Sequence, residues 1–126
     1  MSSKGVAIVT GCASARGIGS AIALRLASDG YDVALNDLPA RKEELEILSK
    51  KIQGQFPDRK TLILEGDVSD EEFVRGLVDQ TVQVLGGLDV MVANAGLGIV
   101  RSFLDGKSIT NGVFPVSLFI STYLRV

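Results

Sequence analysis

The strongest constraint on this chain is the way its hydrophobic residues change period over the first hundred positions. Val6-Ala7-Ile8-Val9 is a short unbroken apolar run, the pattern of a strand buried on both faces. Glycines follow, and then Ile18, Ile22 and Leu26 recur at fourfold spacing, which predicts a helix with these three facing inward. Gly30 stands where the residue after a helix C-cap belongs. Val33-Ala34-Leu35 predicts a second buried strand. A helix from Ala40 to Gln53 follows, with Leu45, Leu48 and Ile52 inside and Glu46 and Lys50 on a solvated face. Gln55-Phe56-Pro57-Asp58 is turn material before a third strand, Thr61 to Leu64. Ser69 and Glu72 have capping-box spacing and open a helix expected to bury Phe73, Leu77, Val78, Val82 and Leu85. Leu88 to Ala93 predicts a fourth strand.

Strands alternating with helices in this way predict an α/β fold, a parallel sheet covered by helices. Right-handed crossovers then favour the strand order 3-2-1-4, half of a doubly wound sheet in three α/β/α layers. With 126 residues there is room for one domain. Residues 1–100 form the regular unit, and residues 101–126 are expected to be a divergent tail without a clean period of either kind. Within it, Val113 to Leu124 is mostly apolar, is broken by Pro115, and is too short to cross a bilayer.

Composition removes several chemistries. The chain has no histidine, which excludes His-ligated metal and Ser-His or Cys-His nucleophiles, and no metal site is expected. A net charge of -2 provides no electrostatic reason for nucleic acid or an anionic membrane to be a partner. The one cysteine, Cys12, cannot form an internal disulfide and reads as small-residue packing at a strand end. Met1 to Val9 holds no signal-peptide or membrane-spanning pattern, so a cytoplasmic protein is the expectation.

Function is concentrated at the strand ends. The first strand runs into Thr10-Gly11-Cys12-Ala13-Ser14-Ala15-Arg16-Gly17-Ile18-Gly19, and Gly17, Ile18 and Gly19 open a helix. Glycines there let backbone approach a diphosphate, and the helix N-terminus supplies free N–H groups and positive dipole. Asp37 follows strand two, where a carboxylate can accept hydrogen bonds from both ribose hydroxyls of an adenosine. Taken singly, each has a plain alternative: a glycine-rich turn, and a strand-end turn or cap residue ahead of Pro39.

Two further segments name a family. Strand three ends in Gly66-Asp67-Val68 and strand four in Asn94-Ala95-Gly96. With Thr10, Gly11, Gly17 and Gly19 these resemble the short-chain dehydrogenase/reductase family over residues 4 to 100. The family's loop is T-G-x-x-x-G-x-G; here five residues rather than three separate Gly11 and Gly17, so the loop is two residues longer. The resemblance implies a Rossmann-type fold binding a dinucleotide. By it, Asp67, followed by Val68, would accept a hydrogen bond from the adenine amino group. Asn94 would steady the central strand, and the Ala95-Gly96 backbone would lie along the adenosine ribose.

For the cofactor, Asp37 favours NAD(H), because a carboxylate repels a 2′-phosphate. Arg16 argues for NADP(H), because family members using it often carry a basic residue before the second glycine. Arg41 and Lys42 could also reach a phosphate, although surface charge is the plainer role. The balance is placed on NAD(H), with NADP(H) second.

The family's catalytic set is an upstream Ser, a helix Asn and a Tyr-x-x-x-Lys pair. Tyr31 is followed four residues later by Leu35, Tyr123 lies three residues before the final Val126, and Asn111 is too close to Asn94. No catalytic residue is therefore expected in this chain, which reads as a truncated cofactor-binding portion that does not transfer hydride by itself. An uncovered edge beside strand four would favour self-association or pairing with a full-length paralogue. The rival readings are a noncatalytic nucleotide-binding or regulatory module and a methyltransferase-like fold binding S-adenosylmethionine.

Overall fold

The computed structural model describes residues 2–95. Gly96 and the expected tail, 101–126, lie outside the described residues. The elements are β1 (Gly5–Thr10), α1 (Ile18–Ser28), β2 (Tyr31–Asp37), a 3-10 turn (Pro39–Arg41), α2 (Lys42–Gln55), β3 (Thr61–Glu65), α3 (Glu71–Leu85) and β4 (Val90–Val92). The strands form one parallel sheet in the order β3-β2-β1-β4, as the crossover rule predicts.

Both sheet faces are covered, and the strands show why their apolar runs are unbroken. Val9, Val33 and Leu35 pack with Ala23 and Ala27 of α1 and with Leu45, Leu48 and Ile52 of α2. Ile8 and Ala34 face the other way and pack with Val74 and Leu77 of α3. Successive residues of one strand thus serve two cores. Ile8, Leu35, Leu45, Ile52 and Leu77 are almost wholly enclosed. Burying each such side chain contributes about 1.5–3 kcal/mol.

The ends of α1 and α2 follow local chemistry. Gly30 has φ +106 directly after the C-cap Asp29, and its N–H reaches Ala27 O at 3.1 Å. Pro39 starts the turn before α2, whose first turn carries Glu43 and Glu44, suited to the positive end of the helix dipole. Arg41 is engaged there, with its guanidinium 2.7 Å from Glu44, which raises the Arg41 pKa and holds Glu44 below the usual carboxylate range.

Three packing expectations are corrected. Ile18 is 74% exposed rather than inward, and the buried residues of α1 are Gly19, Ser20, Ala23 and Ala27. α1 lies so close to the sheet that only small side chains fit beneath it, so Ile22 and Leu26 pack at its flanks. On α3 the inward row is Val74, Leu77 and Thr81, while Val82 is 44% exposed. Thr81 can be buried because its hydroxyl donates to Leu77 O at 2.7 Å. The cap of α3 is Asp70, which accepts the Glu72 N–H at 3.0 Å; α3 begins at Glu71, so Ser69 lies one residue before the cap position, with its N–H on Asp67 Oδ1 at 2.9 Å.

Ala23→Leu is expected to cost about 1–3 kcal/mol by overpacking, while Ile18→Ala stays within about 0.5 kcal/mol of the parent. Urea unfolding of the two variants measures both. The opposite ranking would restore the inward Ile18 stripe.

Candidate functional site

The site is the carboxyl-terminal edge of the sheet, where β1, β2, β3 and β4 release their loops. After Thr10 the chain turns at Gly11, with φ +65, a conformation that suits glycine. A Cβ at Gly11 would stand 2.7 Å from the Ala95 Cα, so the exits of β1 and β4 touch backbone to backbone. Gly19 is equally confined, since a Cβ there would lie 2.5 Å from Asn94 Nδ2 and 2.8 Å from Gly11 O.

The lengthened loop is absorbed in two pieces. Cys12 and Ala13 lie down against the end of β2, donating their N–H groups to Asn36 O at 3.1 Å and Asp37 Oδ2 at 2.9 Å. Ser14 to Gly17 then close a turn, with Gly17 N–H on Ser14 O at 2.9 Å. The extra residues therefore leave the start of α1 beside Gly11. Gly17 is the N-cap of α1 and has extended backbone, with no side chain capping the helix and no acidic residue in its first turn. The first-turn N–H groups thus have no side-chain cap, and Arg16 and Ile18 are exposed around them.

Thr10 is a knot between strands. Its hydroxyl oxygen accepts the N–H groups of Asn94 at 3.1 Å and Ala95 at 3.0 Å and donates toward Val92 O at 3.4 Å. Asn94 returns the link, with Nδ2 donating to Gly11 O at 3.1 Å. Asp37 ends β2, and each of its carboxylate oxygens accepts one backbone N–H, from Ala13 at 2.9 Å and Leu38 at 2.8 Å. Asp67 is exposed just past β3, whereas the neighbouring Val68 side chain is buried in the α3-side core. Thr10, Gly11, Gly17, Gly19, Asp37, Asn94 and Ala95 thus form one connected cluster, with Asp67 on the next strand exit.

Cys12 is fully enclosed, and burial, helped by the nearby Asp37 charge, pushes its thiol up to about 12. It stays protonated and is unsuited to be a nucleophile. Among the described residues no cluster of acidic, Cys or His side chains could hold a metal, and no helix is long and apolar enough to cross a membrane. A depression of about 90 Å3 lies between the loop and α2, lined by Ala13, Ser20, Leu24 and Ile47 among others. It is smaller than an ordinary ligand cleft and touches none of Thr10, Asp67 or Asn94.

Sequence reasoning missed Asn36. This side chain is 1% exposed, and its Nδ2 donates to Leu64 O at 2.8 Å and Gly66 O at 3.3 Å. Its signal was a lone carboxamide directly continuing the apolar run Val33-Ala34-Leu35.

The sequence matches the family described as short chain dehydrogenase over residues 5–117. A short-chain dehydrogenase/reductase of Hericium erinaceus is 52% identical over 99 residues, covering 77% of this chain and 38% of that protein. The chain therefore spans well under half the length of the curated relatives it matches. The L-sorbose reductase of Gluconobacter frateurii, solved with NADPH and L-sorbose, superposes with a TM-score of 0.76 at 26% identity, over 99% of this chain and 45% of that one. A short chain dehydrogenase of Burkholderia cenocepacia, solved with NADP, superposes with a TM-score of 0.72 at 37% identity, over 83% and 40%.

These structures correct the expectation that NAD(H) is favoured and NADP(H) second: similar proteins hold NADP(H). The expectation set the repulsion of one carboxylate above Arg16, which stands exposed at the start of α1. Asp37 also has a structural duty, its two oxygens receiving the backbone N–H groups that fasten the loop. Its presence is therefore not a sufficient criterion for the cofactor.

Two measurements follow from this geometry. Thr10→Val keeps the shape but takes the hydroxyl acceptor from Ala95 N–H and leaves Asn94 N–H with Val92 O alone, and should cost about 1–3 kcal/mol in urea unfolding, with Thr10→Ser close to the parent. The raised Cys12 pKa stabilises the fold fully below the thiol's ordinary value of 9.0. Above that pH the unfolded thiol ionises first, so the contribution falls as pH rises toward about 12. A Cys12→Ala chain should show a flatter stability profile over that window.

Proposed function

This chain belongs to the short-chain dehydrogenase family, and we propose that it binds a nicotinamide dinucleotide, NAD(P)(H), across the carboxyl-terminal edge of its sheet. The observation that carries this reading is the uncapped start of α1 standing beside Gly11 and Asp37. Thr10, Gly11, Arg16, Gly17, Ile18 and Gly19 would surround the diphosphate, which takes its hydrogen bonds from first-turn N–H groups. Asp37 would receive the adenosine ribose with the lone pairs that Ala13 and Leu38 leave unused. Asp67 would accept the adenine amino group, with Val68 anchoring that loop in the core. Asn94 would steady the strand exits through Gly11 O, and the Ala95-Gly96 backbone would lie along the ribose, with Ala95 held by Thr10.

In the whole protein of which such a unit is part, the proposed reaction is hydride transfer between the nicotinamide and an alcohol or carbonyl substrate. The described residues contribute binding and orientation. Among the described residues the one tyrosine, Tyr31, has Leu35 four residues after it, so no Tyr-x-x-x-Lys pair lies within them.

Titration of the chain against NADH and NADPH, followed by nicotinamide fluorescence, tests the proposal. Gly17 has φ -83, so a side chain is tolerated by its backbone, and a Cβ would come no nearer than 3.2 Å to Ser14 O. Gly17→Val should therefore retain a cooperative melt while weakening dinucleotide binding at least about tenfold by blocking backbone approach. A parent chain that binds neither dinucleotide, or a variant that binds as tightly as the parent, would refute the assignment.

A further inference from the structure

Asn36 sits where three strand exits meet, and its contacts run to all of them. Its backbone carbonyl accepts the Cys12 N–H, fastening the loop that leaves β1. Its carboxamide spans the end of β3, with Nδ2 between the carbonyls of Leu64 and Gly66. Both neighbours are acceptors, which orients the amide nitrogen toward them. The regular pairing of β2 with β3 ends at Asp37 and Glu65, and beyond it Gly66 N–H still reaches Asp37 O at 2.9 Å. Gly66 is thus held on both its N–H and its carbonyl, and the next residue is Asp67.

We propose that Asn36 is a positioning residue for adenine recognition: its buried carboxamide clamps the β3 exit and sets the spacing between the Asp37 and Asp67 carboxylates. This rests on the reading of those two acids as ribose and adenine acceptors. Burying a carboxamide carries a desolvation cost that Val33, Ala34 and Leu35 avoid. Strand pairing alone would not need it. An aliphatic side chain would fill the space but could hold neither carbonyl, leaving the β3 exit tied to β2 by the Gly66 N–H alone, with Asp67 otherwise held by its own turn to Ser69 and Asp70 and by Val68 in the core. Among the described residues the Asp67 carboxylate accepts one hydrogen bond, from Ser69 N–H on Oδ1, which leaves Oδ2 to a ligand amino group.

Adenine differs from hypoxanthine in the amino group that Asp67 would accept, so the discrimination between the two bases reports the placement of that carboxylate. The 126-residue chain should bind whichever of NADH or NADPH it prefers about tenfold more tightly than the hypoxanthine counterpart. Asn36→Asp removes the donor at nearly constant shape and sets a carboxylate against two carbonyl oxygens; it should reduce the preference to about twofold or less. Asn36→Ser, which keeps one donor in a smaller side chain, should fall between the two and serves if the Asp variant does not fold. Asp67→Ala removes both acceptor oxygens at an exposed position, is the control for the acceptor, and should also abolish the preference.

Loss of preference in Asp67→Ala with full retention in a folded Asn36 variant would overturn the clamp alone, even if overall affinity fell, since a merely structural residue lowers both affinities together. Retention of the preference in Asp67→Ala, or its absence in the parent, would remove the underlying assignment of Asp67 and the clamp with it.

Discussion

The closeness of backbone at Gly11 and Gly19 is the constraint on which the rest of this structure depends. At Gly11 a single added carbon would meet the Cα of Ala95, and at Gly19 it would meet the Asn94 side chain and the Gly11 carbonyl. Only at that separation can the Thr10 hydroxyl reach two N–H groups of the β4 exit and Asn94 reach back to Gly11. The same closeness brings the start of α1 to the sheet edge, which is why small residues line the helix beneath. A buried seam of Gly19, Ala23 and Ala27 sacrifices apolar area for proximity, and the larger burial is supplied instead by α2 and α3.

Around that contact, polar groups perform the alignment that packing cannot. Dispersion and hydrophobic burial are indifferent to small slides of one strand exit past another, whereas hydrogen bonds at fixed lengths are not. Thr10, Asn36, Asp37 and Asn94 each link loops released by different strands, over sequence separations of 24 or more residues. Buried side-chain polar atoms among the described residues all have partners, so the edge is organised without orphaned groups. One carboxylate accordingly has two duties: Asp37 fastens the loop and still keeps lone pairs for a ligand. A cofactor preference inferred from its charge alone overlooks the first duty.

Much of the architecture was legible because its determinants are local. Val6 to Val9 and Val33 to Leu35 announce strands buried on both sides, and Gly30 announces the end of α1. The acids and glycines of the edge were also legible as types at positions. Less legible were features that depend on the distance between elements. Ile18 has helical spacing to Ile22 and Leu26, yet lies at the mouth of the loop, where none of the described residues covers it. Ser69 and Asp70 are equally competent caps by residue type, and Asp70 is the one that stands directly before the first helical residue, Glu71, where its carboxylate meets the Glu72 N–H. Asn36 was invisible as a clamp because its partners, Leu64 and Gly66, are nearly thirty residues away.

By itself, then, the order of residues determined an alternating α/β chain, the strand sequence β3-β2-β1-β4 and the gathering of glycines and carboxylates at one edge. Periodicity, handedness and turn chemistry act within a few residues or through a rule of chirality that every such crossover obeys. Tertiary structure alone decided which side chains lie beneath α1, how two additional loop residues fold away, and which polar groups hold the strand exits together. Those outcomes depend on ångström-scale separations between elements distant in the chain, and such separations exist only after both layers of helices have packed onto the sheet.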